Sequence, residues 1–235
     1  MSKSMSKQPK LFSEVLAEGI GTFVLIFIGT GAIIVNTITE GIIPHLGICF
    51  VFGAIVTAII YTIGHISGAH INPAVTLAFW SSQVFPKNKV LPYILGQFSG
   101  GILASLLLRI IFGNVANMGA TLPSSENWLQ SLMIEIILTF ILMFVVLGSG
   151  LDRRAPAGFA PIAVGLAVTA EAAVMGPITG ASMNPVRSLA PALISHLWQD
   201  QWLYVIGPII GAQLAVWTYR QLSNNFHDFD SKELI

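Results

Sequence analysis

Six apolar segments recur along the chain, and each is long enough to cross a lipid bilayer as a helix. A spanning helix needs about 20 mostly apolar residues, because the hydrocarbon core is about 30 Å thick. Only 9% of the 235 residues are charged, against about 25% in a soluble protein. The sequence therefore predicts an all-α membrane protein. Its six transmembrane helices are expected at about 15–37, 46–66, 90–112, 129–150, 159–176 and 201–222.

Two further apolar segments are too short to cross the membrane. They begin at Asn72 and Asn184, and about 10 residues of helix cover about 15 Å, half of the hydrocarbon core. Each begins with Asn-Pro. Asparagine is a favoured N-cap, and proline suits the first helical position, where a backbone N–H would have no helical partner. The sequence therefore predicts two re-entrant half-helices.

The two halves of the chain resemble each other. "AEGIGTFVLIF" (17–27) resembles "IEIILTFILMF" (134–144), and "YILGQFSGGILA" (93–104) resembles "YVIGPIIGAQLA" (204–215). Three spans per repeat is an odd number, so the repeats are inverted, and a functional site is expected near the midplane between them. Small residues that allow close helix contact recur in both halves, at Gly96, Gly100, Gly207 and Gly211.

The basic residues set the expected orientation. With six spans, most of them fall on one side of the membrane, which the positive-inside rule assigns to the cytoplasm. The prediction is one domain over 15–222, with repeats at about 15–112 and 129–222 and cytoplasmic tails at 1–14 and 223–235. A plasma membrane or a bacterial inner membrane fits the short loops. The residues on that side are Lys3, Lys7, Lys10, Lys87, Lys89, Arg153, Arg154, Arg220 and Lys232.

The half-helices predict a path for a neutral solute. Their starts can meet near the midplane, each with about half a positive charge from the helix dipole, and each asparagine offers N–H donors. Irregular backbone at this depth is tolerated where it is buried or lines a watery cavity. Its carbonyls then form a ladder of acceptors, while cations and protons are excluded. The residues concerned are Gly68, Ala69, His70, Ile71, Gly180, Ala181, Ser182 and Met183.

Other function classes find less support in the sequence. The formal net charge is zero, so nothing indicates a nucleic-acid partner, and the single Cys49 cannot form an intrachain disulfide. No Ser-His, metal-ligand or paired-carboxylate pattern stands out, so we expect neither an enzyme nor a cofactor. An ion-coupled secondary transporter also has inverted repeats and broken helices. It stays an alternative.

The two Asn-Pro segments carry a family resemblance. "SGAHINPAVT" and "GASMNPVRS" closely resemble the aquaporin / major intrinsic protein family, over nearly the whole chain. The resemblance implies a passive channel with six spans and two half-helices, assembled as a homotetramer with one pore per subunit. Val186 stands where the family usually has alanine, and we expect it to narrow or reshape the centre. The implied central constriction comprises Asn72, Pro73, Ala74, Asn184, Pro185 and Val186.

The resemblance also implies a second constriction near the outer mouth. Spacing from the two asparagines assigns it to Phe52, Ala172, Ala181 and Arg187. In this family, the resemblance implies Phe, His, a small residue and Arg at the four positions of water-selective members. It implies Trp, Gly, Phe and Arg at the same positions of glycerol channels. Alanine in place of histidine removes bulk and a polar edge. We therefore expect a filter wider than one that passes only water.

Further family markers are mixed. Ser188, Ala192 and Tyr204 follow the water-channel pattern, whereas Val205 stands where water channels usually have tryptophan. The mixture looks most like the nodulin-type intrinsic proteins and their bacterial relatives. That resemblance implies passage of water and of small neutral solutes such as glycerol, urea, or arsenous and boric acid. A water-selective channel, and a structural junction protein of the same family, stay alternatives.

Four more residues attract functional interpretations. Glu18 and Glu135 occupy matching places in the first span of each repeat, which predicts hydrogen bonds to the re-entrant loops. The family suggests that His70 lines the cytoplasmic vestibule. Glu171 neighbours Ala172, and we expect it to accept hydrogen bonds from loop backbone; an acceptor beside the filter is the alternative.

Overall fold

The computed structural model describes residues 10–125 and 127–223, which form α-helices and no β-strand. The predicted all-α class is confirmed. The first half contains α1 (Leu11–Ile38), α2 (His45–Ser67), α3 (Pro73–Ser81) and α4 (Lys87–Phe112). The second half contains α5 (Trp128–Val146), α6 (Ala160–Thr179), α7 (Pro185–Ser195) and α8 (Leu203–Leu222).

Five of these helices are long and apolar enough to cross a membrane. They are α1, α2, α4, α6 and α5 together with a π-helical turn at Leu147–Leu151. The sixth predicted span forms α8, which has 20 residues but is not among those five. Helix α1 begins at Leu11, inside the predicted N-terminal tail. The rest of the two predicted tails, 1–9 and 224–235, lies outside the described residues.

Glycines bring the long helices into close contact. Helix α1 packs along α4, and α5 packs along α8 in the same way. A Cβ atom on Gly100 would lie 1.9 Å from the carbonyl oxygen of Gly19, and one on Gly211 would lie 2.2 Å from that of Ile136. Any side chain at these positions would therefore push the helices apart, as the small-residue pattern predicts.

The two short helices connect the halves. Helix α3 has 9 residues and α7 has 11, close to the predicted length. Helix α3 from the first repeat packs on α8 of the second, and α7 packs on α4 of the first. Each half-helix is thus held by the opposite repeat, and their starts come together inside the helix bundle.

Candidate functional site

The two half-helices begin with asparagine caps. The side-chain oxygen of Asn72 accepts a hydrogen bond of 2.9 Å from the Ala74 amide. The oxygen of Asn184 accepts bonds from the Val186 amide at 3.0 Å and the Arg187 amide at 3.4 Å. Both asparagines have extended backbone, and proline follows at the first helical position. The predicted cap chemistry is therefore present at both starts.

The same asparagines tie the two repeats together. The Asn72 side-chain nitrogen donates to the Met183 carbonyl at 2.8 Å, and the Asn184 nitrogen donates to the Ile71 carbonyl at 2.8 Å. An amide group has two N–H donors, so each asparagine keeps one further donor. Both asparagines line the central cavity.

The loops before the half-helices share an unusual backbone. Ala69 and Ile71 have φ values of 47° and 42°, and the matching Ala181 and Met183 have 43° and 55°. L-residues adopt this left-handed region only when surrounding contacts hold them there. The alternation turns successive peptide groups in different directions. All residues of the two loops, 68–71 and 180–183, line the cavity.

Two buried glutamates hold these loops in place. Glu18 accepts bonds from the amides of His70 at 2.9 Å and Ile71 at 2.7 Å. It also accepts from the Ser67 hydroxyl and the Gln97 amide, each at 2.7 Å. Both carboxylate oxygens of this fully buried side chain therefore have partners. They satisfy N–H groups that the left-handed loop cannot pair within a helix.

Glu135 repeats the arrangement in the second half. It accepts bonds from the amides of Ser182 and Met183, each at 2.9 Å, and from the Thr179 hydroxyl at 2.8 Å. The position that corresponds to Gln97 is Pro208, which has no side-chain donor. Glu135 thus has one donor fewer than Glu18.

One cavity of about 330 Å³ runs past both asparagines. All four positions assigned to the outer constriction line it: Phe52, Ala172, Ala181 and Arg187. The guanidinium carbon of Arg187 lies 4.8 Å from the centre of the Phe52 ring, within cation–π range. The two alanines contribute only methyl groups to the remaining wall. The four predicted positions thus contribute one aromatic ring, one guanidinium and two methyl groups to the cavity wall.

His70 also lines the cavity. Its ring nitrogen Nδ1 lies 3.1 Å from the Thr76 hydroxyl oxygen, and the ring packs edge-on against Phe79 and Phe85. The other nitrogen, Nε2, is buried and has no hydrogen-bond partner among the described residues. The ring is thus held by Thr76 and two phenylalanines, and its Nε2 atom is shielded inside the protein.

The side chain of Val186 does not line the cavity. It is fully buried, and its Cγ1 atom lies 2.5 Å from the place that a Cβ atom on Gly101 would occupy. The expectation that Val186 narrows the centre is therefore wrong, because the added bulk fills space left by a glycine of α4. Pro73, Ala74 and Pro185 also shape the half-helix starts without lining the cavity.

Glu171 differs from both expectations for it. Its side chain is buried, and neither carboxyl oxygen has a partner of good hydrogen-bond geometry among the described residues. It is not part of the cavity wall; it points to α5, close to the backbone of Leu142. Glu171 therefore neither supports a loop nor adds an acceptor to the filter.

Sequence reasoning missed the loop between the halves. The Gly119 carbonyl accepts a bond of 2.6 Å from Nη1 of Arg187, which fixes the guanidinium at the filter. The three residues before that glycine have left-handed backbone, with φ between 48° and 58°: Ala116, Asn117 and Met118. Asparagine favours this conformation, but alanine and methionine do not, so the sequence does not reveal three such residues in a row.

A second missed residue stands at the mouth of the cavity. His45 lines it from the first turn of α2, and its Nε2 atom lies 2.9 Å from the Ala173 carbonyl oxygen of α6. This contact joins the two helices that carry Phe52 and Ala172. No sequence signal identified it, because it depends on two helix faces that lie far apart in the chain.

Comparison with known proteins identifies the family. The profile of the family described as Major intrinsic protein matches residues 5–219. Nodulin-26 of Glycine max is 43% identical over 93% of this chain and 80% of its own length. Aquaporin NIP1-1 of Zea mays is 45% identical over 88% of this chain and 73% of its own.

The fold has a counterpart among solved structures. The X-ray structure of the aquaglyceroporin from Plasmodium falciparum has a TM-score of 0.82 and 24% sequence identity, and the match covers 91% of this chain and 97% of that one. At this identity the match shows the fold alone. The family profile and the relatives confirm what the Asn-Pro segments predicted, including the likeness to nodulin-type proteins. This chain is a member of the major intrinsic protein family, an integral membrane protein with the aquaporin fold.

Proposed function

We propose that this protein is a passive channel for water and small uncharged solutes, and that it excludes ions and protons. The solutes are of the class of glycerol, urea and metalloid hydroxides such as arsenous or boric acid. The observation that carries the proposal is the outer constriction. Phe52, Ala172, Ala181 and Arg187 all line one cavity, and the two alanines add only methyl groups to the proposed filter.

The charges around the path favour neutral solutes. Each half-helix start has about half a positive charge, and Arg187 adds a buried guanidinium. A cation that lost its hydration shell here would face positive groups, whereas a neutral solute exchanges water for carbonyl acceptors and asparagine donors. The cross-bonded asparagines hold these donors in fixed places.

The main alternatives account for fewer of the observations. A water-selective filter in this family is expected to have histidine at the position where this chain has Ala172. An ion-coupled transporter needs a charged or polar coupling site, and no carboxylate lines the cavity among the described residues. The name aquaporin, which several of the relatives carry, agrees with a channel of this class.

The proposal also covers the membrane, the orientation of the chain in it, and the oligomeric state. Both tails face the cytoplasm of a plasma membrane or a bacterial inner membrane, as the distribution of basic residues favours. The chains form a homotetramer with one pore each. Large apolar side chains on the outside of the bundle suit lipid or a second copy, for example Phe50 at 65% exposure and Trp217 at 64%.

Uptake into proteoliposomes tests the channel against a coupled transporter. Radiolabelled glycerol is supplied over a range of concentrations, with and without sodium and pH gradients. The proposal predicts that the glycerol uptake rate rises linearly with glycerol concentration and does not depend on the sodium or pH gradient. Saturable uptake that needs a gradient would favour the transporter, and protein that passes neither water nor solute would favour a structural role.

A further inference from the structure

Gly29 of α1 lies against the ring of Phe52. A Cβ atom on Gly29 would be 2.2 Å from Cε1 of the ring and 2.6 Å from both Cδ1 and Cζ. Carbon atoms in contact are about 3.5–4.0 Å apart, so no side chain fits there while the ring keeps its place. The ring edge occupies the volume that any larger residue at 29 would need.

Gly29 belongs to the side of α1 that faces the cavity. Leu25 and Ile33, one helical turn before and after it, both line the cavity. Residues four apart share one face of a helix. At the level of Gly29 the wall is formed by the Phe52 ring instead, because the glycine leaves a recess in α1 that receives the ring.

The other side of the ring faces the opening. Phe52 is 8% exposed and lines the cavity, and the Arg187 guanidinium carbon lies 4.8 Å from the ring centre. The Phe52 ring thus lies between the recess at Gly29 and the proposed filter. A side chain at position 29 would fill the recess. The Phe52 ring would then have to move toward the opening.

We propose that Gly29 is a specificity-determining residue that sets the width of the outer constriction by admitting the Phe52 ring into α1. The proposal rests on the proposed function, since it takes the opening beside Phe52 as the passage. Gly29 touches no solute and acts only through the ring. The width of the filter then depends on five positions, of which one lies behind the wall.

The chain offers a matched control on the same helix. A Cβ atom on Gly31 would have Cδ2 of Leu108 as its nearest contact at 3.5 Å, which is ordinary packing. Gly31→Ala therefore makes the same chemical change two residues away without pressing on Phe52. Any general effect of alanine on the stability of α1 appears in both variants.

Permeability ratios test the proposal. Wild type, Gly29→Ala and Gly31→Ala are reconstituted, and glycerol and water permeabilities are measured by stopped-flow light scattering. Gly29→Ala should lower the glycerol-to-water ratio roughly tenfold, the scale of discrimination that one methyl produces in a tight pocket. Gly31→Ala should keep the wild-type ratio. An unchanged ratio in folded Gly29→Ala overturns the proposal.

A double variant shows whether the effect passes through the ring. In Phe52→Leu the ring is gone, so adding Gly29→Ala should leave the ratio as in Phe52→Leu alone. A further fall in the double variant overturns the proposal. So does failure of Gly29→Ala to fold when the double variant folds, because the ring then has no room in the opening.

The test also separates this inference from the proposed function. If wild type passes water but no glycerol, the wide-filter function fails. Gly29 is then judged on water permeability alone. A lower value in Gly29→Ala than in Gly31→Ala supports the inference, and equal values overturn it.

Discussion

Val186 of α7 lies against Gly101 of α4, with Cγ1 2.5 Å from the place of a Cβ atom on that glycine. The matching positions in the other repeat are Ala74 of α3 and Ala212 of α8, both fully buried. Each pair of positions joins the two repeats. At the α3–α8 contact both residues are alanine, whereas the α7–α4 contact combines a valine with a glycine. The departure from the family pattern at Val186 is compensated inside the protein and leaves the cavity wall as it is.

This pair predicts a non-additive effect on stability. Gly101→Ala should destabilise the fold by about 1–3 kcal/mol through overpacking, and Val186→Ala should destabilise it through the hole it leaves. The double variant should be close to wild type, because it recreates the two-alanine pair of the α3–α8 contact. Thermal unfolding in detergent measures all four proteins. Additive losses in the double variant would contradict the packing account.

Glu135→Gln should weaken the fold without changing selectivity. The new NH₂ group must replace one carboxylate oxygen, so at least one of the loop donors at Thr179, Ser182 or Met183 loses its acceptor. An unsatisfied buried group costs about 1–3 kcal/mol. We expect a lower thermal midpoint and less folded protein, but an unchanged glycerol-to-water ratio in the protein that folds. A changed ratio at normal stability would show that Glu135 acts in the passage.

Ala172→His should restore a narrow filter. The imidazole adds bulk and a polar edge to the opening beside Phe52 and Arg187, so glycerol permeability should fall by roughly tenfold or more while water permeability falls less. Ala172→Ser is the size control and should keep most solute flux. Stopped-flow light scattering measures both permeabilities. Equal loss of water and glycerol flux in Ala172→His would mean that position 172 does not select by size.

Asp152 predicts a pH-dependent contribution outside the membrane. The Arg154 guanidinium and the Tyr219 hydroxyl both donate to its carboxylate, and chiefly the arginine holds the pKa of Asp152 well below its ordinary value. A lowered folded-state pKa stabilises the fold above the unfolded value, about 3.9 for aspartate. That contribution is lost as the pH falls through the lowered pKa.

Asp152→Asn tests this linkage. The variant should unfold at a lower temperature than wild type at pH 7, because it forfeits the charged contacts. The difference should shrink as the pH is brought below about 4, where the unfolded aspartate takes up its proton. Thermal midpoints in detergent over this range provide the measurement. A gap that stays constant from pH 7 into acid would show that charge at Asp152 contributes nothing.

The sequence predicted the parts of this structure that depend on local rules. Asparagine before proline caps a helix wherever it occurs, so the starts at Asn72 and Asn184 were visible in the chain. The length of an apolar segment decides whether it spans, and matching sequence in both halves revealed the inverted repeat. Glu18 and Glu135 stood out because a repeated acidic residue within a span needs partners.

The features that the sequence did not predict depend on which helix faces pack against each other. The directions of Val186 and Glu171 follow from the packing of α7 on α4 and of α6 on α5, which no spacing within one segment encodes. Gly29 looked like one more small residue in an apolar span, and only the position of Phe52 distinguishes it. The left-handed turn that brings Gly119 to Arg187 likewise has no residue pattern of its own.

The most direct test of the central claim is the selectivity of the wild-type protein in proteoliposomes. Stopped-flow light scattering measures water, glycerol, urea and boric acid permeability against protein-free liposomes of the same lipid. The proposed filter of Phe52, Ala172, Ala181 and Arg187, all of which line the cavity, predicts that water and all three neutral solutes exceed the protein-free level. High water permeability with every solute at the protein-free level would contradict the account.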